Sequence, residues 1–281
     1  MARIWPALVL LILLAVHGPA GASFSVTVLA ADENFSDLLG QELAQRDIGQ
    51  AEPGDGDMVV AVGGEAFRRA LKGNRPVVAV DVPRAELLGA WRRGCSCTGL
   101  FREMDPALQL RLVSRLLPTA SRVGLLLGPE SRWAGSYLPG YADHLGLSLE
   151  TRRVEDRDEL GVALARLLPR VDLLLAVADS ELYSPATARL VLLTGYRQNR
   201  PVVGPDAAFV EAGSVASMYY PREDLAAQVV QWLASFRDEG RLPAPAFPAA
   251  VSVAVNERVA KTFELPVDTS GVLRRELEVR R

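Results

Sequence analysis

Histidine is nearly absent from this 281-residue chain, with only two in total. One of them, His17, sits in an N-terminal apolar stretch that reads as removable, which leaves His144 alone. A single histidine excludes most nucleophile–histidine and histidine–metal chemistry. Cysteine is as scarce: Cys95 and Cys97, one residue apart. A bridge across one residue is strained and uncommon, so a disulfide is not the expectation, and a zinc site would need further ligands. Catalytic and nucleotide signatures are missing too. There is no G-x-S-x-G, no H-E-x-x-H, no G-x-G-x-x-G and no G-K-[ST], so neither a cofactor nor a metal is expected. No basic excess exists either. With 31 basic and 34 acidic residues the net charge is -3; without Arg3 the balance is 30 against 34, or -4. That speaks against a nucleic-acid partner. The C-terminal Arg274, Arg275, Arg280 and Arg281 alternate with Glu276 and Glu278, as in a solvated tail.

Long apolar runs are confined to the start. Residues 5–16 are almost wholly apolar, preceded by Arg3, broken by Gly18-Pro19 and followed by the small-x-small step Ala20-Gly21-Ala22. The run is shorter than the roughly 20 residues of a membrane span. It reads as a secretory signal peptide over residues 1–22, so the protein is expected in the periplasm.

What the chain does contain is alternation. Strand-like runs at 25–30, 58–62, 77–80 and 97–100 are separated by helical patterns at 36–46 and 65–71. A helix opening at Asp105-Pro106, with Leu108, Leu112, Val113 and Leu116 on one face, leads to a second series. Its strands fall at 122–127, 147–154, 172–178, 201–204 and 215–218, its helices at 131–145, 157–168 and from Ser184-Pro185 to 199. An amphipathic helix over 221–236, a proline-rich connector at 241–248, a strand at 251–255 and a short helix at 257–263 complete the chain. The expected fold is α/β, two Rossmann-like lobes with parallel sheets and a ligand cleft between them. Residues 23–118 form the first lobe, 119–240 the second, and 241–281 a connector and return to the lobe interface.

In open parallel sheets ligands sit at the carboxyl ends of the strands, so residues there are the candidates. Asp179, followed by Ser180, ends the run Asp172-Leu-Leu-Leu-Ala-Val-Ala178 and is not needed to cap the next helix, which favours ligand contact. Asp206 ends the following strand and directly precedes a helix, so capping and ligand contact both stand. Asp81 ends the strand at 77–80. Gly63 and Gly64 bring backbone N–H groups to a helix start. Ser131, Arg132 and Trp133 could supply a hydroxyl, a carboxylate clamp and a stacking ring, although Trp133 serves equally as a packed helix residue. An anion site paired with a carboxylate suits a zwitterion such as an amino acid.

A set of short motifs, in order and with their spacing, resembles the ABC-transporter substrate-binding proteins of the type I periplasmic binding fold. They run from Cys97-Thr-Gly-Leu100, Asp105-Pro106, Gln109-Leu110 and Leu116-Leu-Pro118 to Arg122-Val-Gly-Leu-Leu-Leu127 and His144-Leu-Gly-Leu147. Val171-Asp172, Asp179, Arg200-Pro-Val-Val-Gly204, Gly213, Val253-Ala-Val-Asn256, Ala260 and Leu265-Pro266 continue them. The resemblance covers about residues 75–266 and implies lobes that close on a hinge around an amino acid or similar metabolite. It makes Asp179 and the Glu130-Ser131 region cleft residues of the second lobe. Residues 24–74 depart from the pattern, with a loop of Ala, Glu, Pro, Gly and Asp where a helix–strand unit is expected. The implied partners are a small-molecule ligand and an inner-membrane ABC permease, served by a monomer. Two alternatives accompany this reading: a periplasmic sensing or accessory protein that binds a membrane partner, and a secreted hydrolase using Asp179 and Asp206.

Overall fold

The computed structural model describes residues 24–265; the expected signal peptide over 1–22 and the expected solvated C-terminal tail lie outside the described residues. Five strands form the first sheet: β1 (Ser25–Leu29), β2 (Gly49–Gln50), β3 (Met58–Val62), β4 (Val77–Val82) and β5 (Cys97–Phe101). All are parallel, in the order β2-β1-β3-β4-β5. Six more form the second sheet: β6 (Arg122–Leu127), β7 (Ser148–Arg153), β8 (Leu173–Leu175), β9 (Val202–Val203), β10 (Ala216–Tyr219) and β11 (Ser252–Val255). Their order is β11-β10-β9-β8-β6-β7, parallel except for the β10–β11 pair. The central strands are nearly continuous Val, Leu and Ala because helices cover both faces.

The helices are α1 (Glu33–Gln45), α2 (Gly64–Ala70), α3 (Arg84–Arg92), α4 (Pro106–Leu116), α5 (Ala134–Tyr137), α6 (Pro139–His144), α7 (Leu160–Leu167), α8 (Pro185–Arg197), α9 (Ala207–Ala212), α10 (Arg222–Glu239) and α11 (Glu257–Thr262). Local chemistry sets their starts. Asp32, Asp105, Asp206 and Asn256 each accept a backbone N–H of the first turn, and Ser184 with Thr187 forms a capping box ahead of Pro185. The pattern at 131–145 reads as one helix; Pro139, which cannot continue a hydrogen-bond ladder, divides it into α5 and α6.

Helices sort by the sheet face that needs covering, not by chain order. α4 lies before residue 118, yet Leu112, Val113 and Leu116 pack in the second lobe against Val123, Leu125 and Leu173. α10 lies before residue 240, yet Ala226, Val229, Val230 and Leu233 pack in the first lobe against Leu39, Leu43, Val60 and Val78. The expected divisions at 118 and 240 therefore shift. The first lobe comprises β1–β5 with α1, α2, α3 and α10, and the second holds β6–β11 with the remaining helices. α3 is an addition to the sequence reading. So is β2, two residues long and paired to β1, which stands where the loop after residue 46 is expected.

The chain crosses between lobes three times, at residues 102–105, 220–221 and 241–251. Tyr220 ties two crossings together: its hydroxyl accepts the Asp105 N–H at 3.0 Å and donates to the Glu103 carbonyl at 3.2 Å. The third crossing runs beside β5 through the Leu100–Ala246 bridge. Cys95 and Cys97 form a disulfide, contrary to expectation. Gly94, at φ 83°, turns the chain just ahead of the pair, so Cys95 comes back beside the first residue of β5.

Candidate functional site: a cleft between the lobes

The carboxyl ends of both sheets face one cavity of about 450 Å³, within the range of small-molecule sites. From the first lobe come Asp32 and Phe35 at the start of α1, Gly63 after β3, and Asp81 near the end of β4. The second lobe supplies Pro205 and Asp206 after β9, and Met218 and Tyr219 from β10. Arg102 and Met104 belong to the first crossing; Tyr220 belongs to the second, and Arg222 begins α10 directly after it.

Charge in this cleft is arranged in pairs. Arg222 bonds the Asp32 carboxylate, and its guanidinium also lies 5.1 Å over the Phe35 ring. The hydrogen bond from Arg222 holds the Asp32 carboxyl below its usual range, with the Phe35 N–H adding to the effect. Arg102 reaches the Asp81 carboxylate at 3.3 Å and the Asp81 carbonyl at 3.0 Å. The protein surrounding Asp81 raises its carboxyl above the ordinary value, and Arg102 opposes that shift. Asp81 also holds a left-handed backbone at φ 55°, uncommon outside glycine, which turns it toward the crossing. Gly63, at φ 85°, makes a similar turn without a side chain and opens the floor between Asp32 and Asp81. All four side chains of the two ion pairs remain 44–56% exposed.

Of the residues singled out from sequence, Gly63, Asp81 and Asp206 line the cleft, and the others do not. Asp206 also caps α9 by accepting the Phe209 N–H at 2.9 Å, so the capping role is seen, and its residue stands at the cleft wall. Gly64 starts α2 behind the wall. Asp179 is a correction. It is 3% exposed, and its carboxylate accepts the Glu130 and Ser131 N–H groups, the Ser131 hydroxyl and the Glu181 N–H at 2.9–3.2 Å. Glu130 returns the arrangement, taking the Ser180 N–H and hydroxyl at 2.8 and 2.9 Å. The loops after β6 and β8 are thus stapled to one another, and Gly128 is required, since a Cβ there would lie 2.5 Å from the Asp179 carboxylate. Ser131 is fully buried in this staple, and Arg132 turns outward to Glu155 at 3.0 Å. Trp133 packs with Tyr137 and Phe247.

The hydrolytic pair Asp179 and Asp206 is therefore not assembled: one carboxylate is consumed inside the lobe. Arg102, Arg222, Asp32 and Phe35 are the wall residues that sequence reasoning passed over. Asp32 carries the same signal as Asp179, an acid just past a strand. No motif marks the arginines; they matter because two crossings bring them to the same cavity.

A family model described as ABC transporter substrate binding protein matches residues 48–235, more than half of the chain. The chain belongs to this family. Substrate-binding proteins of this kind bind small molecules and deliver them to ABC permeases outside the cytoplasm. No described helix is long and apolar enough to cross a membrane. Solved structures agree on the fold, two lobes of the type I periplasmic binding class. One is the ligand-free, open form of a substrate binding protein with adhesive properties from Clostridium difficile. It matches with a TM-score of 0.65 at 15% identity, over 87% of this chain and 95% of that one. Another is an ABC domain from Streptococcus pneumonia in complex with L-Trp, with TM-score 0.61, 16% identity and coverage of 89% and 97%. A conserved domain protein from Vibrio cholerae gives 0.57, 17%, 89% and 97%. No curated protein sequence matches the chain.

Proposed function

We propose that this substrate-binding protein is exported by its N-terminal signal, captures a small solute bearing both a cation and an anion, and presents it to an inner-membrane ABC permease. The observation that carries the solute class is the pair of half-exposed Asp–Arg contacts on the cleft wall. Each is weak in water, since exposed ion pairs contribute only about 0–1 kcal/mol. A zwitterion can therefore replace both partners at little cost: its carboxylate takes Arg222 or Arg102 and its ammonium takes Asp32 or Asp81. Phe35, Tyr219 and Tyr220 offer rings for an apolar or aromatic side chain. Amino acids combine these groups, and the L-Trp held by the Streptococcus domain is of that class. Binding then needs no bond chemistry, only a closed arrangement with more contacts to the solute than the open one.

Thermal unfolding with an amino-acid panel tests this. A solute at a hundred times its Kd stabilises the native state by about 2.7 kcal/mol and raises the midpoint accordingly. Arg222→Ala and Asp81→Asn should each weaken solute affinity about tenfold or more, the loss of one charge-assisted hydrogen bond, and shrink the midpoint shift accordingly. A panel in which no zwitterion shifts the midpoint, while sugars or dicarboxylates do, overturns the solute class.

A further inference from the structure

Beside the cleft lies a second contact between the lobes that none of the preceding roles uses. Arg84, at the start of α3 in the first lobe, lays its guanidinium 4.1 Å over the ring of Trp133 in the second lobe. Phe101 lies 5.7 Å away on the same guanidinium, and Phe247 of the third crossing contacts both Phe101 and Trp133. The Arg84 backbone N–H donates to both oxygens of the Glu103 carboxylate, at 2.8 and 3.0 Å, which fixes the start of α3 to the first crossing. The buried Arg84 Nε has no hydrogen-bond partner, and the Trp133 ring lies against the guanidinium that carries it.

The first crossing separates this contact from the cleft. Arg102 and Met104 point into the cleft, whereas Phe101 and Glu103 serve the Arg84 side. Such alternation is that of an extended chain, whose successive side chains leave opposite faces. Lobes that rotate about this segment to narrow one side must separate on the other. We propose that the Arg84–Trp133 stack is a clasp that resists closure of the cleft and so sets how tightly the protein holds its solute. Arg84 is a positioning residue in this account and touches no solute. A cation–π contact of this kind shifts the balance between open and closed lobes about 2- to 30-fold, and solute affinity by up to the same factor.

The test needs no solute, so its failure is separable from failure of the solute reading. Spin labels at Glu33→Cys and Ala208→Cys flank the cleft from the two lobes, and the native cysteines, being bonded to one another, do not label. In the ligand-free protein, Arg84→Leu should add a population with a shorter interlobe distance. Arg84→Lys, which keeps a cation over the ring, should restore the parent distribution. Trp133→Leu removes the clasp from the other lobe and should reproduce the Arg84→Leu shift, which keeps the test available if one variant folds poorly. A variant that melts cooperatively but leaves the distance unchanged, or lengthens it, overturns the clasp.

Discussion

At the residue scale the two most buried carboxylates among the described residues have opposite characters. Asp179 is surrounded by donors, three N–H groups and one hydroxyl. Asp179→Ala strands those donors inside the second lobe. It should lower stability by about 3 kcal/mol in urea denaturation, well above the effect of an exposed acid. Glu103, 9% exposed, has fewer donors to offset its burial. Desolvation raises its carboxyl above the ordinary 4.5, with the hydrogen bond from Arg84 and the nearby arginine charges pulling the other way. A raised acid binds its proton more tightly folded than unfolded, so the stability it supplies is present at low pH. That stability is lost as pH rises from about 4.5 through the raised value. Wild type measured against Glu103→Gln should therefore lose relative stability across that window and level off above it. A relative stability that climbs with pH would contradict the desolvated placement. Sequence reasoning placed Asp81, Asp179 and Asp206 at or just past strand ends, and they stand there. It could not see which acids meet donors from another loop, because the Asp179 staple joins residues 48–50 apart.

Elements show a similar division. Runs such as Val77–Val82 and caps such as Asp105-Pro106 are local, and the strands and helices they imply are present. α3 was missed because its sequence, Arg-Ala-Glu-Leu-Leu-Gly-Ala-Trp-Arg, offers only Leu87 and Ala90 to the core and carries an interior glycine. β2 escaped because two residues have no periodicity to read. The largest surprise is α10, whose apolar face is plain in the sequence but whose destination is not. Leu233 of α10 is fully buried in the first lobe. Leu233→Ala should cost about 2–5 kcal/mol, and hydrogen exchange should speed up in β1 and β3 more than in β6 and β8. Equal acceleration in both sheets would mean that the lobes open as one unit.

For the whole molecule, the sequence supports two lobes and a cleft, but the cleft wall belongs to the crossings as much as to the lobes. Arg102 lies in the first crossing and Arg222 directly after the second, so a movement at these segments would carry the cleft charges with it. The disulfide contributes little on this scale. A bridge between residues two apart closes a very small loop, and the chain-entropy estimate for it is only about 1.6 kcal/mol. Replacing both cysteines by serine should lower the unfolding midpoint by a few degrees and leave solute response unchanged.

The return of α10 to the first lobe also dictates an order of assembly. Arg222 meets Asp32 across 190 residues of sequence, and α10 lies over strands that leave the ribosome or a translocation channel long before it does. Until α10 is made, the first lobe has an uncovered sheet face waiting for its last helix. The second lobe, most of whose strands lie between residues 122 and 219, can gather earlier. Its edge strand β11 and helix α11 follow α10, so each lobe closes late in chain order, the first on α10 and the second on β11.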